Sequence, residues 1–373
     1  METLSAAADQ LVSEFVGLSR QKPANGSRQV ADRTLQLLRQ LVAEPSWRQT
    51  SQLLGQLRAA GRRLSAEMPT EPAVGTLVCR LLKMARDEHE AKRRGQLSQE
   101  DSLHRRLTAG GPLDAAEDLS QEVAGLRADL LAALDELQTE LDASADNIAR
   151  EALGHIHADD VVLTAGHSRT VLEFLRRAAR ERAFHVIVAE GAPFCRGHEA
   201  ARALAALPRV QVTVIAESAV FAMMARVNKV ILGAQTVLAD GGLRAACGTH
   251  ALALAARFHS VPVIVCAPSY KLSPQFHRGD QQEGFQCQVS PEPVLSYAEG
   301  AVVGRARLSC PVYDYVPPEL VTLFVTHTGG TSPWYIYRLL NEYYDQQDHE
   351  IVQGTSAAPA AADGREGGPL PSV

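Results

Sequence analysis

The stretch VILGAQTVLADGGLRAACGTHALALAARF, from Val230 to Phe258, indicates the fold of the second half of the chain. It begins as an apolar, β-branched run typical of a buried strand and passes into a turn at Asp240-Gly241-Gly242. It then continues as an alanine-rich segment with helical spacing. In α/β proteins, a strand followed by a glycine turn and a helix often forms a ligand site or carries a catalytic carboxylate. The segment therefore holds either a working site or only the shape of one.

The same alternation of strands and helices extends to both sides of this stretch. Continuous apolar runs separated by helical patterns are typical of parallel strands that are covered on both faces. The predicted strands are VVLTAG (161–166), FHVIVAE (184–190), VQVTVIAE (210–217), KVILGA (229–234) and VPVIVCAP (261–268). Right-handed β-α-β crossovers then give an α/β fold class, with a Rossmann-like, doubly wound and mostly parallel sheet over residues 151–351.

Residues 1–150 are predicted to form an N-terminal helical domain. Leu35 and Leu38 share one face of a helix that follows Arg28. Ser46 is the predicted N-cap of the next helix, and Pro72 is expected at the start of another.

The longest helical pattern runs from Leu119 to Ile148, where apolar residues recur at steps of three and four. From Asp118 to Arg150, the other faces carry eight acidic residues against only Arg127 and Arg150. We expect the apolar stripe to pack on the other helices. The acidic faces are then left for solvent or for a basic partner.

Composition excludes several classes of protein. The formal net charge is −6, which argues against nucleic acid or an anionic membrane as the main partner. No run of eighteen apolar residues and no signal-peptide pattern occurs, so we expect a soluble protein of the cytoplasm (cytosol). The Pro/Gly-rich tail, residues 352–373, is predicted to be disordered.

Motifs for cofactors and metals are missing. No two glycines have the spacing G-x-G and no GK[ST] occurs, so neither a dinucleotide nor a nucleotide triphosphate is expected, and no cofactor is predicted. The six cysteines are far apart with no CxxC, which favours buried, reduced thiols and predicts no metal site. Ser168 and Arg169 could bind a phosphate at a helix N-terminus, but the simpler interpretation is that Ser168 caps the helix and Arg169 is a surface charge.

Several phrases together resemble one family. They are TAGHSRTV, FHVIVAE, APFCRGHEAA, RVNKVILGAQTVLADG, GTHALALAARFHSVPVIVCAP, KLSPQF and CPVYDYVPPELVTLF. These resemble, over residues 1 to about 351, the regulatory subunits of eukaryotic translation initiation factor 2B, the guanine-nucleotide exchange factor for initiation factor 2. The family also contains sugar-phosphate isomerases that act on methylthioribose-phosphate and ribose bisphosphate.

The resemblance implies a non-catalytic regulatory subunit. Alpha, beta and delta subunits would form the core, with the catalytic gamma and epsilon subunits beside it. The core would bind the alpha subunit of initiation factor 2 and sense its phosphorylation, as in the integrated stress response. The acidic helix and KLSPQF favour the beta type. Delta usually has a long basic extension, which is absent here, and alpha is shorter and closer to the isomerases.

The resemblance also locates the isomerase positions in this sequence. The catalytic cysteine of the isomerases corresponds to Gly166, and their catalytic aspartate corresponds to Gln235. Neither residue can act as an acid or base near neutral pH, so no catalytic residue is expected. Gly166, Ser168, Arg169 and Gln235 are expected to form a vestigial ligand cleft. The alternative is a protein of the same fold that binds or isomerises a sugar phosphate.

Two sets of interface candidates follow from the resemblance. His185, Ile187, Thr213 and Ile215 are expected near the beta–delta boundary, where the family forms a small-molecule pocket, unless they are ordinary sheet residues. Asp129, Asp135, Glu136 and Glu140 are expected to form part of an electrostatic surface for the alpha subunit of initiation factor 2. The alternative for these four is an acidic face that serves solubility.

Overall fold

The computed structural model describes residues 4–21, 26–96, 119, 125–277 and 287–353. The last helix ends at Gln353, so residues 352 and 353 are helical rather than part of a disordered tail. The rest of the predicted tail lies outside the described residues.

Helices occupy the described part of the first half, as predicted. They are α1 (Ala6–Gln21), α2 (Ser27–Ala43), α3 (Thr50–Glu67), α4 (Ala73–Gln96), α5 (Leu126–Arg150) and the short α6 (Ala152–His155). The predicted apolar faces are confirmed, since Leu35 and Leu38 of α2 are both buried. Among the described helices, none combines the length and the apolar character needed to cross a bilayer.

Two predicted helix starts are wrong. Helix α3 has Gln49 as its N-cap, in a reciprocal capping box with Gln52, whereas the Ser46 hydroxyl accepts a hydrogen bond from Gln56. Helix α5 begins at Leu126, after Gly125 in the left-handed conformation (φ 78°), and Leu119 lies in a turn. The spacing of apolar residues does not by itself mark where a helix begins. The pattern therefore placed the start of α5 too early in the chain.

The second half builds a seven-stranded sheet in the order β10-β9-β7-β4-β1-β2-β3. All neighbouring strands are parallel except β9 and β10. The elements are β1 (Val161–Ala165), α7 (Arg169–Ala179), β2 (Phe184–Ala189), α8 (Gly197–Ala205), β3 (Val210–Ile215), α9 (Val220–Met224), β4 (Lys229–Gly233), β5 (Thr236–Val237), β6 (Leu243–Ala246), α10 (Thr249–Phe258), β7 (Val263–Cys266), α11 (Gly300–Val303), β8 (Tyr313–Val316), β9 (Leu323–Thr326), β10 (Gly329–Thr331), α12 (Ile336–Tyr343) and α13 (His349–Gln353). The predicted α/β fold class is confirmed.

The chain reverses its direction across the sheet between β1 and β4. Strands β1, β2 and β3 follow one another to one edge, and β4 then pairs on the other side of β1. In open α/β sheets, the crevice at such a switch point is the usual place for a ligand.

The turn at Asp240 is part of a second, smaller sheet. Strands β5, β6 and β8 pair antiparallel, so the predicted helix does not follow the turn directly. The Asp240 carboxylate accepts hydrogen bonds from the backbone N–H of Gly242 (2.7 Å) and from the Tyr315 hydroxyl (2.8 Å). Asp240 therefore stabilises the turn. The strand β6 is only four residues long, too short to show an alternating pattern in the sequence.

One hydrophobic core joins the two halves of the chain. It includes Leu38 and Leu82 from the helices together with Leu163 and Leu232 from the sheet. A second cluster lies on the other sheet face, under α7 and α8. The predicted division at residue 150 therefore does not separate two cores.

A buried ion cluster fastens the C-terminal end of the described chain to the helices. Asp348 is fully buried and accepts hydrogen bonds from Arg58 (3.0 Å) and Arg86 (2.6 Å). Helix α13 packs on α3 and α4 beside it.

Candidate functional site

A pocket of about 300 Å³ opens at the carboxyl ends of β1 and β2. Gly166, which follows β1, lines this pocket in the left-handed conformation (φ 60°). No heavy atom lies within 4 Å of the position a Cβ would occupy at Gly166, so the space is free for a ligand or a side chain. Apolar groups of Phe221 and Leu252 form much of the remaining wall.

Backbone N–H groups around the pocket are already hydrogen-bonded to carboxylates. At the start of α10, Asp314 accepts hydrogen bonds from the N–H of Gly248 (2.6 Å) and of His250 (3.3 Å). Glu217, which also lines the pocket, accepts hydrogen bonds from the N–H of Ala192 (3.1 Å) and of Gly191. A helix N-terminus and a turn with exposed N–H groups are the usual binding sites for phosphate. Here two of the chain's own carboxylates occupy them.

The pocket also lacks a positive charge. Among the described residues that line it, none is Lys or Arg, whereas Glu217 contributes a carboxylate. A phosphate would therefore enter the pocket against negative charge and without a counter-ion.

The pocket contains one thiol, that of Cys247, which the sequence analysis did not single out. Cys247 is exposed, unlike Cys79, Cys266 and Cys310, so the prediction of buried thiols holds for only part of the set. Partial desolvation and the neighbouring Asp314 carboxylate raise the pKa of the Cys247 thiol to about 11. The group is therefore a thiol rather than a nucleophilic thiolate at neutral pH.

Gln235, at the end of the neighbouring strand β4, lies in a different environment. Its Oε1 accepts a hydrogen bond from the Ser27 hydroxyl at 3.2 Å, and its Nε2 donates one to Glu71 at 3.2 Å. Ser27 begins α2 and Glu71 precedes α4. The side chain of Gln235 thus connects the sheet to the helical half of the chain.

Charged side chains surround this connection. Arg244, which is 3% exposed, donates hydrogen bonds to the backbone carbonyls of Pro69 (3.4 Å) and Thr70, and it lies over the ring of Tyr313. Burial raises the pKa of Glu71, although Arg244 and Lys271 act in the opposite direction. We call Glu71, Gln235, Arg244 and Lys271 the polar junction.

Lys271 completes the polar junction from the loop after β7. Its ammonium donates a hydrogen bond to the backbone carbonyl of Ala234 at 2.7 Å. Burial lowers the pKa of Lys271 to about 8, and Arg169 adds to this effect. The junction therefore combines opposite charges and hydrogen bonds where the sheet meets the helical half of the chain.

Of the four predicted cleft residues, one lies in the wall of the pocket. Gly166 lines the pocket, whereas Ser168, Arg169 and Gln235 are not among its lining residues. The Ser168 hydroxyl accepts a hydrogen bond from the N–H of Val171 at 3.5 Å, which confirms its predicted role as the N-cap of α7. Arg169 is exposed.

The predicted interface residues of the sheet occupy two neighbouring strands. His185 Nε2 lies 2.8 Å from the Thr213 hydroxyl, and Thr213 and Ile215 are partly exposed on the edge strand β3. Ile187 is only 1% exposed and packs in the chain's own core. It is therefore not available for direct contact with another subunit, and the expectation must be corrected for this residue.

The acidic candidates of α5 are mostly paired within the chain. Ion pairs join Asp129 to Lys92, Asp135 to Arg39 and Glu140 to Arg80. The expectation that these carboxylates remain for solvent or a partner is therefore wrong for Asp129 and Glu140, which are also partly buried.

Glu140 and Glu136 differ most among these four residues in how far the carboxylate is paired within the chain. The Glu140 carboxylate also accepts a hydrogen bond from Ser269 at 2.8 Å. Burial acts to raise its pKa, but the hydrogen bonds and charge of Arg80 outweigh it, and the pKa of Glu140 is lowered. Glu136 is exposed and, among the described residues, takes part in no ion pair. The basic residues of α2 and α4 that pair with α5 could not be assigned as its partners from the sequence.

Comparison with known proteins gives a consistent result. The family described as "Initiation factor 2 subunit family" matches residues 23–333. Translation initiation factor eIF2B subunit beta of Dictyostelium discoideum is 36% identical over 371 residues, which cover 90% of this chain and 95% of the relative. The protein of the same name from Schizosaccharomyces pombe is 33% identical over 380 residues, which cover 90% and 96%.

Solved structures agree with these relatives. The crystal structure of eIF2B beta from Chaetomium thermophilum has a TM-score of 0.72 at 28% identity, covering 91% of this chain and 94% of that one. The tetrameric eIF2B-beta2-delta2 complex from C. thermophilum contains a chain with a TM-score of 0.66 at 28% identity, covering 92% and 100%. A 5-methylthioribose 1-phosphate isomerase from Pyrococcus horikoshii has a TM-score of 0.55 at 17% identity, covering 89% and 87%, and shares the fold.

Proposed function

The chain belongs to the Initiation factor 2 subunit family, and from that premise we propose that it is a beta-type regulatory subunit of the guanine-nucleotide exchange factor for translation initiation factor 2. It forms the regulatory core with alpha and delta subunits, beside gamma and epsilon, in the cytosol. It helps to bind the alpha subunit of initiation factor 2 and to sense its phosphorylation. The observation that carries this proposal is the similarity, over 90% of the chain, to two beta subunits.

The chemistry of the two strand ends supports a role without catalysis. Gly166 has no side chain, and Gln235 uses its amide for hydrogen bonds to Ser27 and Glu71. Neither group can transfer a proton near neutral pH. The nearest thiol in the pocket, Cys247, has its pKa raised to about 11.

For assembly, we assign part of the contact with delta to the edge of the large sheet. The similarity to a chain of a beta–delta tetramer supports a delta partner. Strand β3 is an edge strand on which Thr213 and Ile215 are partly exposed beside His185. Edge strands and their exposed faces are common contact surfaces.

Co-expression with delta tests this assignment. Ile215→Asp should reduce the amount of beta–delta complex seen by native mass spectrometry, because it places a carboxylate in a desolvated contact. Val214→Asp is the matched control, since Val214 is 44% exposed on the opposite face of the same strand. Equal loss of complex in both variants, or none in Ile215→Asp when that variant is folded, would contradict the assignment.

For substrate recognition, we place a weak electrostatic contact on the exposed part of α5. Asp135 and Glu136 are the two exposed members of the four acidic candidates, and Asp135 forms an ion pair with Arg39. Phosphorylation adds about two negative charges to a substrate, so an acidic surface would oppose its approach. Asp129 and Glu140 contribute by fixing the helix in place.

The double substitution Asp135→Lys with Glu136→Lys tests this contact in the assembled complex. Association with unphosphorylated initiation factor 2 should become slower at low salt, and the difference should shrink as salt is added. The control for total charge is Glu181→Lys with Glu199→Lys, which changes two exposed carboxylates after α7 and on α8 and alters the net charge by the same amount. Equal association rates for the double variant and the control would remove α5 from the contact.

A second candidate function is binding or isomerisation of a sugar phosphate, which the pocket at Gly166 favours. The carboxylates of Asp314 and Glu217 on its backbone N–H groups argue against a phosphate ligand. Isothermal titration with ribose-1,5-bisphosphate distinguishes the two functions. We expect no saturable binding, and binding that is lost on changing a pocket residue would favour the second function.

A further inference from the structure

Three potential metal ligands meet where β2 leads into α8. They are the carboxylate of Glu190, the thiol of Cys195 and the imidazole of His198, with one ligand atom of each within 4.8 Å of the others. Within the described residues, no other three side chains of these types come as close. His198 Nε2 lies 3.5 Å from Glu190 Oε2. None of the three lines the pocket at Gly166.

The backbone fixes the relative positions of these side chains. Gly197 donates a hydrogen bond to the carbonyl of Glu190 at 2.7 Å, and His198 donates one to the carbonyl of Cys195 at 3.1 Å. A Cβ at Gly197 would lie 2.4 Å from the Ala189 carbonyl oxygen, so the turn can close on the strand end only with glycine there. The three ligands are therefore held together by a hydrogen-bonded turn that needs no ion to form.

The chemical types of the three ligands select the ion. A thiolate, an imidazole and a carboxylate together suit zinc, whereas magnesium and calcium are bound almost wholly by oxygen. Zinc bonds of 2.0–2.3 Å place the ligands of a tetrahedral site about 3.3–3.8 Å apart. The ligand atoms of the three side chains lie within 4.8 Å of one another. Side-chain rotations that move these atoms by roughly one ångström would bring them to the distances of a tetrahedral zinc site.

We propose that Glu190, Cys195 and His198 bind one zinc ion, with water as its fourth ligand. The side chains of His198 and Glu190 are 47% and 28% exposed, so the fourth position faces solvent. The Cys195 thiol loses its proton to solvent on binding, and zinc keeps its charge of two throughout. The sequence predicted no metal site because it contains no CxxC pair, and these ligands are of three different types.

Cobalt titration of the full-length chain, purified without metal, tests the proposal. Co²⁺ should give a thiolate-to-cobalt charge-transfer band together with the intense visible bands of tetrahedral cobalt, and one equivalent of Zn²⁺ should abolish both. Cys195→Ser should remove the charge-transfer band. His198→Gln should weaken binding roughly 100-fold or more, because losing a direct ligand exceeds the 10–100-fold loss seen for outer-shell partners.

Cys247→Ser is the matched control, because Cys247 is the exposed cysteine of the described chain and is not one of the three ligands. This variant should bind Co²⁺ as the parent does. Thermal melting without metal checks that each variant is folded, and zinc should raise the melting temperature of the parent and of Cys247→Ser only. If the parent shows no thiolate band, or if Cys195→Ser binds cobalt as tightly as the parent, the three residues form only an ion pair beside a free thiol.

Discussion

Gly166 and Gln235 follow the adjacent parallel strands β1 and β4. The two positions differ in their side chains, in the space around them and in their hydrogen bonds. At Gly166 a side chain is missing, the space remains as a pocket, and the neighbouring N–H groups are bonded to carboxylates. At Gln235 the side chain is present and forms hydrogen bonds to two segments of the helical half.

The comparison shows two different environments at neighbouring strand ends of one sheet. Removing a side chain leaves a cavity, which affects stability little if the cavity is open to solvent. Replacing a carboxylate by an amide gives a group that donates and accepts at once, and such a group can become part of the structure. We therefore expect substitutions in the polar junction to cost more stability than substitutions at the pocket.

The largest expected effect is that of Arg244→Leu in the polar junction. The substitution removes the donor to the carbonyls of Pro69 and Thr70 and leaves Glu71 with less compensating charge. Urea denaturation should show a loss of about 3–5 kcal/mol in the free energy of unfolding. Arg257→Leu, at an exposed position of α10, should change it by less than about 0.5 kcal/mol. A similar small change for both would mean that the junction does not hold the two halves together.

The next effect is that of Gln235→Glu, which places a second carboxylate beside Glu71. Burial already raises the pKa of Glu71, and the added charge raises it further. When folding raises the pKa of a carboxyl group, the protein loses stability as the pH rises above the pKa that this group has in the unfolded chain. We therefore expect a loss of about 1–3 kcal/mol at pH 8 and a smaller loss at pH 5.

Gln235→Met is the control for this pH dependence. It removes the same hydrogen bonds without adding a charge, so its loss of stability should be nearly the same at both pH values. If Gln235→Glu also shows no dependence on pH, the Glu71 carboxylate does not interact with position 235.

A smaller effect is expected for Gly166→Cys at the pocket. A residue with a Cβ in the left-handed conformation costs about 1–2 kcal/mol, and no atom is close enough to clash. Gly166→Ala should cost the same, since the strain does not depend on the thiol. The double variant Gly166→Cys with Gln235→Asp should still fail to isomerise methylthioribose-1-phosphate, because the backbone N–H groups at the pocket remain hydrogen-bonded to carboxylates. Detectable turnover would show that the two positions are sufficient.

The smallest effect concerns the titration of Lys271. Burial lowers its pKa from 10.5 to about 8, so the unfolded chain binds more protons than the folded chain between these values. Stability should therefore rise with pH in that window, by about 1 kcal/mol between pH 7 and pH 9, relative to Lys271→Met. Urea midpoints across this range give the comparison. Parallel pH profiles of the parent and the variant would show that the lysine is solvated.

Local patterns in the sequence were sufficient for the fold class. The β-branched runs at 161–166 and 261–268 became β1 and β7, and the leucine stripe of α2 became buried. Such patterns report which face of an element is buried, and this depends on nearby residues only. Short strands and the exact ends of helices were harder to predict. The sequence did not indicate β6, and it placed the start of α5 too early.

The sites could be predicted only in part. The N-cap role of Ser168 is local and was found, and the family resemblance identified Gly166 and Gln235 as the positions to examine. The sequence did not show that the carboxylates of Asp314 and Glu217 accept hydrogen bonds from backbone N–H groups at the pocket. It also did not show that Ile187 is buried in the chain's own core. These facts depend on contacts between residues that are far apart in the chain.

The sequence by itself determined the alternation of buried strands and helices, the helical first half, the family and the lack of acid–base groups at Gly166 and Gln235. Only the tertiary structure decided which groups surround these two positions. The ion pairs of Asp129 and Glu140 with α4, and the contacts of Gln235 with Ser27 and Glu71, join segments that are 37 to 208 residues apart. Periodicity along a chain specifies which side chains are buried, but it does not specify which distant partner each polar group meets. That choice is made by the packing of the helical half onto the sheet.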